Sequence, residues 1–159
     1  MADAQNDNGR NGERRAIVAG FGPVGRAVVN GLDNAGFDVT IIELNGLTVD
    51  RQTEMGRAVV LGDVSETETL RRAGIEGAQA FILTIPNEDK VVEACRLARQ
   101  LSSNVFISAR TNHLSKGMQA TQAGADHVTV EEVVTANAMQ HAVLEGLGAE
   151  APAEDAADW

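Results

Sequence analysis

Six short apolar runs punctuate this chain, and most of them do not alternate with polar residues. They are AIVAG at 16–20, VTIIE at 39–43, AVVLG at 58–62, AFILTI at 80–85, VFISA at 105–109 and HVTV at 127–130. A strand with one wet face alternates apolar and polar residues. An unbroken run fits a strand buried on both faces, as in a parallel sheet flanked by helices. Helical patterns fill the intervals. Residues 23–35 bring Val24, Ala27, Val28, Gly31, Leu32 and Ala35 to one side, and residues 88–101 do the same with Val91, Ala94, Cys95, Ala98 and Leu101. Ser65-Glu66-Thr67-Glu68 spells a capping box opening a short helix, and Asn87 stands ready to cap the helix after Pro86. This alternation predicts a Rossmann-like, doubly wound α/β fold with six parallel strands. Right-handed crossovers then give the strand order 3-2-1-4-5-6.

Length and charge narrow the class further. A chain of 159 residues is expected to form one domain. Residues 1–14 are polar and read as a disordered leader, 149–159 as an acidic disordered tail, and 15–148 as the compact domain. The tail holds four acids and no base, the leader three acids and two bases, so half of the net charge of −10 belongs to the ends. A negative chain with 3% aromatics lacks both the phosphate-binding footprint and the stacking platform of a nucleic-acid binder. The lone Cys95 excludes an internal disulfide. No apolar run reaches the roughly 18–20 residues of a membrane span, and no secretory segment opens the chain, so a cytoplasmic protein without direct membrane insertion is expected.

The chemical signal is Gly20-Phe21-Gly22-Pro23-Val24-Gly25. A bare G-x-G-x-x-G is weak, but this one follows a strand, opens a helix, and precedes Glu43 by the expected ~20 residues. Each glycine has a physical task. Gly20 permits the tight turn, Gly22 lets a pyrophosphate approach the backbone, and Gly25 lets the helix lie close to the sheet. The helix N-terminus offers N–H donors and a positive dipole end to phosphates. Glu43, at the end of the second strand, can accept ribose hydroxyls and would repel a 2′-phosphate, favouring NAD(H) or an adenine nucleotide over NADP(H). Asp63 ends the third strand at the same sheet edge. Two roles stand open for it, a contact to adenine or ribose and a cap for the helix near Ser65.

Strand–GFGPVG–helix, followed by GFDVTIIELN, GRAVVLGDVSETETLRRAGIEGAQAFILTIPNEDKVVEACRLAR, VFISARTNH and AGADHVTV, resembles the RCK/KTN (TrkA-N) domain over about residues 14–148. The resemblance implies a nucleotide-binding regulatory domain of potassium channels and transporters. It places the nucleotide cradle on Gly20, Phe21, Gly22, Pro23, Val24 and Gly25, the ribose acid on Glu43 and the adenine-edge acid on Asp63. It adds Thr84 at the end of strand four and Arg110 after strand five. Many members carry Arg or another polar residue where Pro23 stands; Pro has no N–H and no charge, so one phosphate donor is lost, and Arg26 is a candidate to compensate. Lys90 replaces a frequent Asn and would bring a positive charge near the phosphates.

Other chemistry is poorly supported. His113, His127 and His141 lie apart and show no metal-ligand spacing. Cys95 sits on an apolar helix face and reads as a buried, inert thiol. No nucleophilic triad appears. In the last helix, Glu131 to about Leu147, Val133, Ala136, Met139, Val143 and Leu147 form a stripe widened by Val134, Ala138 and Ala142. That arc is broader than one sheet face requires. It points to a homodimer through 131–147, where the resemblance implies a crossover helix; the other reading is a helix covering its own sheet. The expected function is regulation by NAD(H), ATP, ADP or AMP of a potassium channel or transporter on a separate chain, with the domain held at the inner membrane face by that partner. The alternatives are a small NAD-dependent oxidoreductase or subunit, and an interaction module whose cleft is blocked by Phe21 or Pro23.

Overall fold

The computed structural model describes residues 14–153. Its elements run β1 (Arg15–Ala19), α1 (Pro23–Asn34), β2 (Asp38–Glu43), α2 (Gly46–Glu54), β3 (Ala58–Leu61), α3 (Thr67–Arg72), a 3-10 turn (Ile75–Gly77), β4 (Ala80–Leu83), α4 (Glu88–Leu101), β5 (Phe106–Thr111), α5 (Leu114–Ala123), β6 (His127–Val130) and α6 (Glu131–Gly146). The strands form one sheet in the order β3-β2-β1-β4-β5-β6, every neighbouring pair parallel. This is the expected Rossmann-like topology.

The side-chain period of two divides the sheet into two faces. Ile17, Ala19, Ile42, Phe81, Leu83, Ile107 and Ala109 point into the larger core, roofed by Leu70 of α3, Val91, Ala94, Cys95 and Ala98 of α4, and Ala120 of α5. Val18 and Ile41 point the other way, under Val29 of α1, with Phe21. The unbroken apolar runs are unbroken because both faces of the central strands are covered.

Several boundaries shift for local reasons. The fourth run stops at Leu83 rather than Ile85, as the chain turns toward Pro86. The fifth extends to Thr111, because Arg110 and Thr111 still pair with Thr129 and Val130 of β6. The expected capping box does not form. Glu66, not Ser65, is the residue before α3, no side chain caps that helix, and the Ser65 hydroxyl donates to Asp63 instead. Asn87 does cap α4, accepting from Lys90 N at 3.1 Å. Most of the expected leader (1–14) and part of the tail (149–159) lie outside the described residues. Arg14 belongs to the domain: its carbonyl accepts from Asp38 N at 2.7 Å and its guanidinium lies over the Phe37 ring. Residues 149–153 are exposed and irregular.

No residue of α6 is buried. Val134 is 53% exposed, Met139 63%, Val143 55% and, just beyond the helix, Leu147 77%. Val133 and Ala136 are half-buried, so the stripe covers its own sheet only near its start, and Met139, Val143 and Leu147 stand clear of it.

Where α1 leaves β1 the packing is at its tightest. A Cβ on Gly25 would lie 2.0 Å from the Gly20 carbonyl oxygen. Gly31, in the same helix, faces open space. Gly25→Ala is therefore expected to destabilise the fold by about 1–3 kcal/mol or more through overpacking. Gly31→Ala should stabilise it by up to about 1 kcal/mol through helix propensity. Urea unfolding of the two variants checks this, and a Gly25→Ala protein as stable as the parent would contradict it.

Candidate functional site

Strand order reverses between β1 and β4: the chain leaves β1 toward β2 and β3, then returns to β4 on the other side. The loops after these strands diverge and leave a crevice beyond their carboxyl ends, the place where open α/β sheets receive ligands. Here it is a cavity of about 490 Å³.

The glycine turn forms one wall. Gly20 has φ +93°, in the left-handed region, and donates its N–H to Ile42 O. Gly22 caps α1 with extended backbone and no side-chain bond. A Cβ there would meet nothing within 4 Å, so the backbone at Gly22 lies open to a close-approaching group. Pro23 has no N–H to offer. The first donors of α1 are therefore those of Val24 and Gly25, which helix geometry leaves without intrahelical acceptors.

Glu43 forms the opposite wall and is firmly held. One carboxylate oxygen accepts from Phe21 N at 3.0 Å, and the other from Leu44 N at 2.9 Å and Asn45 N at 3.0 Å. It ties the turn after β1 to the turn after β2. The oxygen that accepts only from Phe21 N retains a lone pair for a further donor.

Asp63 lines the cleft but does not cap α3, because its carboxylate is taken up by Ser65 and Lys90. Oδ1 accepts from Ser65 N at 2.9 Å and Ser65 Oγ at 2.6 Å, and Oδ2 pairs with Lys90 Nζ. The Lys90 ammonium first, and then the Ser65 donors, pull the Asp63 carboxyl down to a pKa of about 2. Lys90 therefore serves the carboxylate at the end of β3.

Thr84 and Arg110 close the far side. The Thr84 hydroxyl donates to Ala19 O at 2.9 Å and approaches Gly20 O at 3.1 Å, pinning β4 to the glycine turn. Arg110 Nη1 donates to Thr84 O at 2.9 Å, while Nε pairs with Glu131 at 2.5 Å.

Of the ten residues singled out in the sequence, eight line this cleft: Gly20, Phe21, Gly22, Pro23, Glu43, Asp63, Thr84 and Arg110. Two do not. Val24 faces a second cavity of about 460 Å³ between α1 and α6, because one residue of helix rotates it away from the crevice. Gly25 serves the α1–β1 contact instead. Phe21 takes part through its backbone, since its ring lies in the smaller core with Arg26 and Arg57 over it. That ring does not block the cleft, and Arg26, whose Nε donates to Phe21 O, is not on the lining. Sequence reasoning missed Leu44, Ile85 and Asn87 as lining residues; their only signal is adjacency to the ends of β2 and β4.

Elsewhere, Cys95 is buried and desolvation pushes its thiol up to about 12, so it is an inert core group. His113 pairs with Glu88, which also accepts from Asn112 N and His113 N and braces α4 against the loop after β5. Among the described residues no cluster of His, Cys, Asp or Glu is placed to hold a metal, and no helix is long and apolar enough to cross a membrane.

The family model described as the TrkA-N domain matches residues 16–131. The putative cation/proton antiporter YbaL of Escherichia coli is 31% identical over 124 residues, covering 78% of this chain and 22% of that protein. A Trk system potassium uptake protein TrkA homolog of Pyrococcus horikoshii is 32% identical over 95 residues, covering 59% of this chain and 42% of that protein. The chain thus spans less than half the length of these relatives. Among solved structures, the TrkA-N domain of E. coli YbaL superposes with a TM-score of 0.78 at 29% identity, covering 82% of this chain and 96% of that one. GsuK bound to ADP gives 0.75 at 27%, covering 85% of this chain and 35% of that one. The Shewanella denitrificans Kef C-terminal domain in its AMP-bound form gives 0.74 at 25%, covering 85% and 82%.

The Asp63 network generates a pH prediction. A carboxyl held near 2 in the folded chain, against 3.8 unperturbed, stabilises the fold above about pH 4, and that contribution is lost as pH falls toward 2. Asp63→Asn should lower the melting temperature at neutral pH and flatten its fall across that window. Parallel melting curves of the two proteins from pH 7 to pH 2 would refute the network.

Proposed function

The chain belongs to the TrkA-N domain family, and from that premise we propose that it is a nucleotide-sensing regulatory domain of a potassium channel or transporter. Its ligand is NAD(H) or an adenine nucleotide, bound in the cleft between the glycine turn and Glu43, and it works at the cytoplasmic face of the membrane. The observation that carries this reading is the pairing of an open Gly22 backbone with a rigidly held acid across the same crevice. The first gives a phosphate close access to the start of α1, and the second meets the ribose hydroxyls. The ADP and AMP named for two similar structures support the ligand class. The potassium uptake system named for the Pyrococcus relative supports the process.

The Asp63 carboxylate argues against the oxidoreductase alternative. It is held near 2 by Lys90 and Ser65. A carboxylate stabilised so strongly in its ionised form is a poor proton acceptor near neutral pH.

The test is a thermal-shift panel of AMP, ADP, ATP, NAD, NADH and NADP. A ligand at 100 times its dissociation constant stabilises the fold by about 2.7 kcal/mol. NADP should shift the chain less than NAD. Gly22→Val should stay folded, since open space surrounds the new side chain, and should lose every shift. Glu43→Gln should weaken NAD or ADP by about 1.5–3 kcal/mol and narrow the discrimination against NADP. A panel without a shift, or a Gly22→Val protein with unchanged affinity, contradicts the proposal.

Assembly belongs to the same reading. The exposed stripe of α6 is proposed to pair two copies into a homodimer whose arrangement responds to the ligand, which requires different ligand affinity in each arrangement. Met139→Glu with Val143→Glu should give a folded monomer that still binds nucleotide, because charges would be desolvated only in the contact between copies. Light scattering at micromolar concentration checks this; a parent chain that is already monomeric rules out the dimer.

A further inference from the structure

The cleft holds two cations on its lining, and each already has a carboxylate partner: Lys90 has Asp63 and Arg110 has Glu131. The two pairs differ in what lies behind them. Asp63 is fixed by Ser65 as well, so the Lys90 pair is anchored on both sides. Glu131 is the first residue of α6, a helix without a buried residue. Arg110 is also one of two residues, with Thr84, that line both the nucleotide cleft and the second cavity between α1 and α6. Its Nη1 is held by Thr84 O, while its Nε faces Glu131.

Building on the nucleotide reading above, we propose that Arg110 is the positioning residue through which a phosphate in the cleft acts on α6, by exchanging Glu131 for a phosphate oxygen. A guanidinium binds carboxylate and phosphate with the same donor fork, so the two anions compete for one group. When the phosphate wins, the first turn of α6 loses the side-chain ion pair that ties it to the end of β5. Because linkage is reciprocal, whatever holds Glu131 on Arg110 weakens phosphate binding by the same factor that phosphate weakens the hold on α6. Adenosine, which brings no phosphate, fills the ribose and base subsites without touching this exchange.

The experiment uses the full chain with ADP and adenosine as probes, calorimetry for affinity, and hydrogen exchange over residues 131–147. ADP, and not adenosine, should raise exchange in the first turns of α6. Glu131→Gln keeps the shape and removes the competitor, so it should bind ADP about fivefold tighter or more, with adenosine unchanged. Glu132→Gln removes the same charge from the neighbouring position and should leave ADP affinity at the parent value. Arg110→Gln should weaken ADP, and adding Glu131→Gln to it should restore nothing. An unchanged ADP affinity in Glu131→Gln, an equal gain in Glu132→Gln, or an α6 indifferent to bound ADP in the parent chain each overturns the exchange while leaving the nucleotide reading intact. Failure of both ADP and adenosine to bind the parent chain removes the nucleotide reading and the exchange with it.

Discussion

The molecule turns on the seam between Gly20, Gly25 and Thr84. Helix α1 can begin at the end of β1 only because Gly25 has no Cβ to strike the Gly20 carbonyl, and β4 lies beside β1 at that point with the Thr84 hydroxyl bonded to Ala19 O. This is where the chain goes one way to β2 and β3 and later the other way to β4, β5 and β6. The close approach therefore has two consequences. It lets α1 lie on the sheet, and it opens a crevice directly above, with the N-terminus of α1 pointing into it. A bulkier residue at Gly25 would alter fold and site together, whereas one at Gly22 would enter only the crevice.

What the sequence revealed depended on how local the cause was. The unbroken runs specify burial on both faces, and the right-handed crossover rule then leaves one strand order, so the topology was legible. The glycine turn and Glu43 were legible because their spacing follows from a single βαβ unit. Boundaries were harder. The ends of β4 and β5 are decided by partner strands and by the turn toward Pro86, which no run of apolar residues encodes. Ser65 shows the limit of a short motif. Its hydroxyl had a better acceptor two residues back in Asp63 than in the helix ahead, so the capping box lost a local competition.

Side-chain direction was the least legible feature. Val24 belongs to the six-residue turn in sequence but faces the second cavity, while Phe21 enters the cleft only through its backbone. Arg26 was a candidate for the phosphates, and it lies over the Phe21 ring instead. Lys90 was expected near phosphates as well, and Asp63 holds it. In each case a neighbour brought by tertiary structure decides which way the side chain turns.

The charges of the cleft bear on what sort of site this is. A site that retains a cofactor through many turnovers benefits from unpaired cations aimed at its phosphates, because each new contact then adds to affinity. Here the cations on the lining are met by carboxylates before any ligand arrives. A phosphate gains the difference between its own attraction to the cation and that of the carboxylate it displaces, and such differences are far smaller than the attraction itself. Binding then rests on backbone N–H groups, the dipole of α1 and the ribose contacts, each worth at most a few kcal/mol. On the proposed reading, such a site would exchange its ligand readily and follow changes in ligand concentration. That behaviour would suit a sensor, and in the exchange proposed above the helix that would carry the signal onward starts at the displaced carboxylate, Glu131.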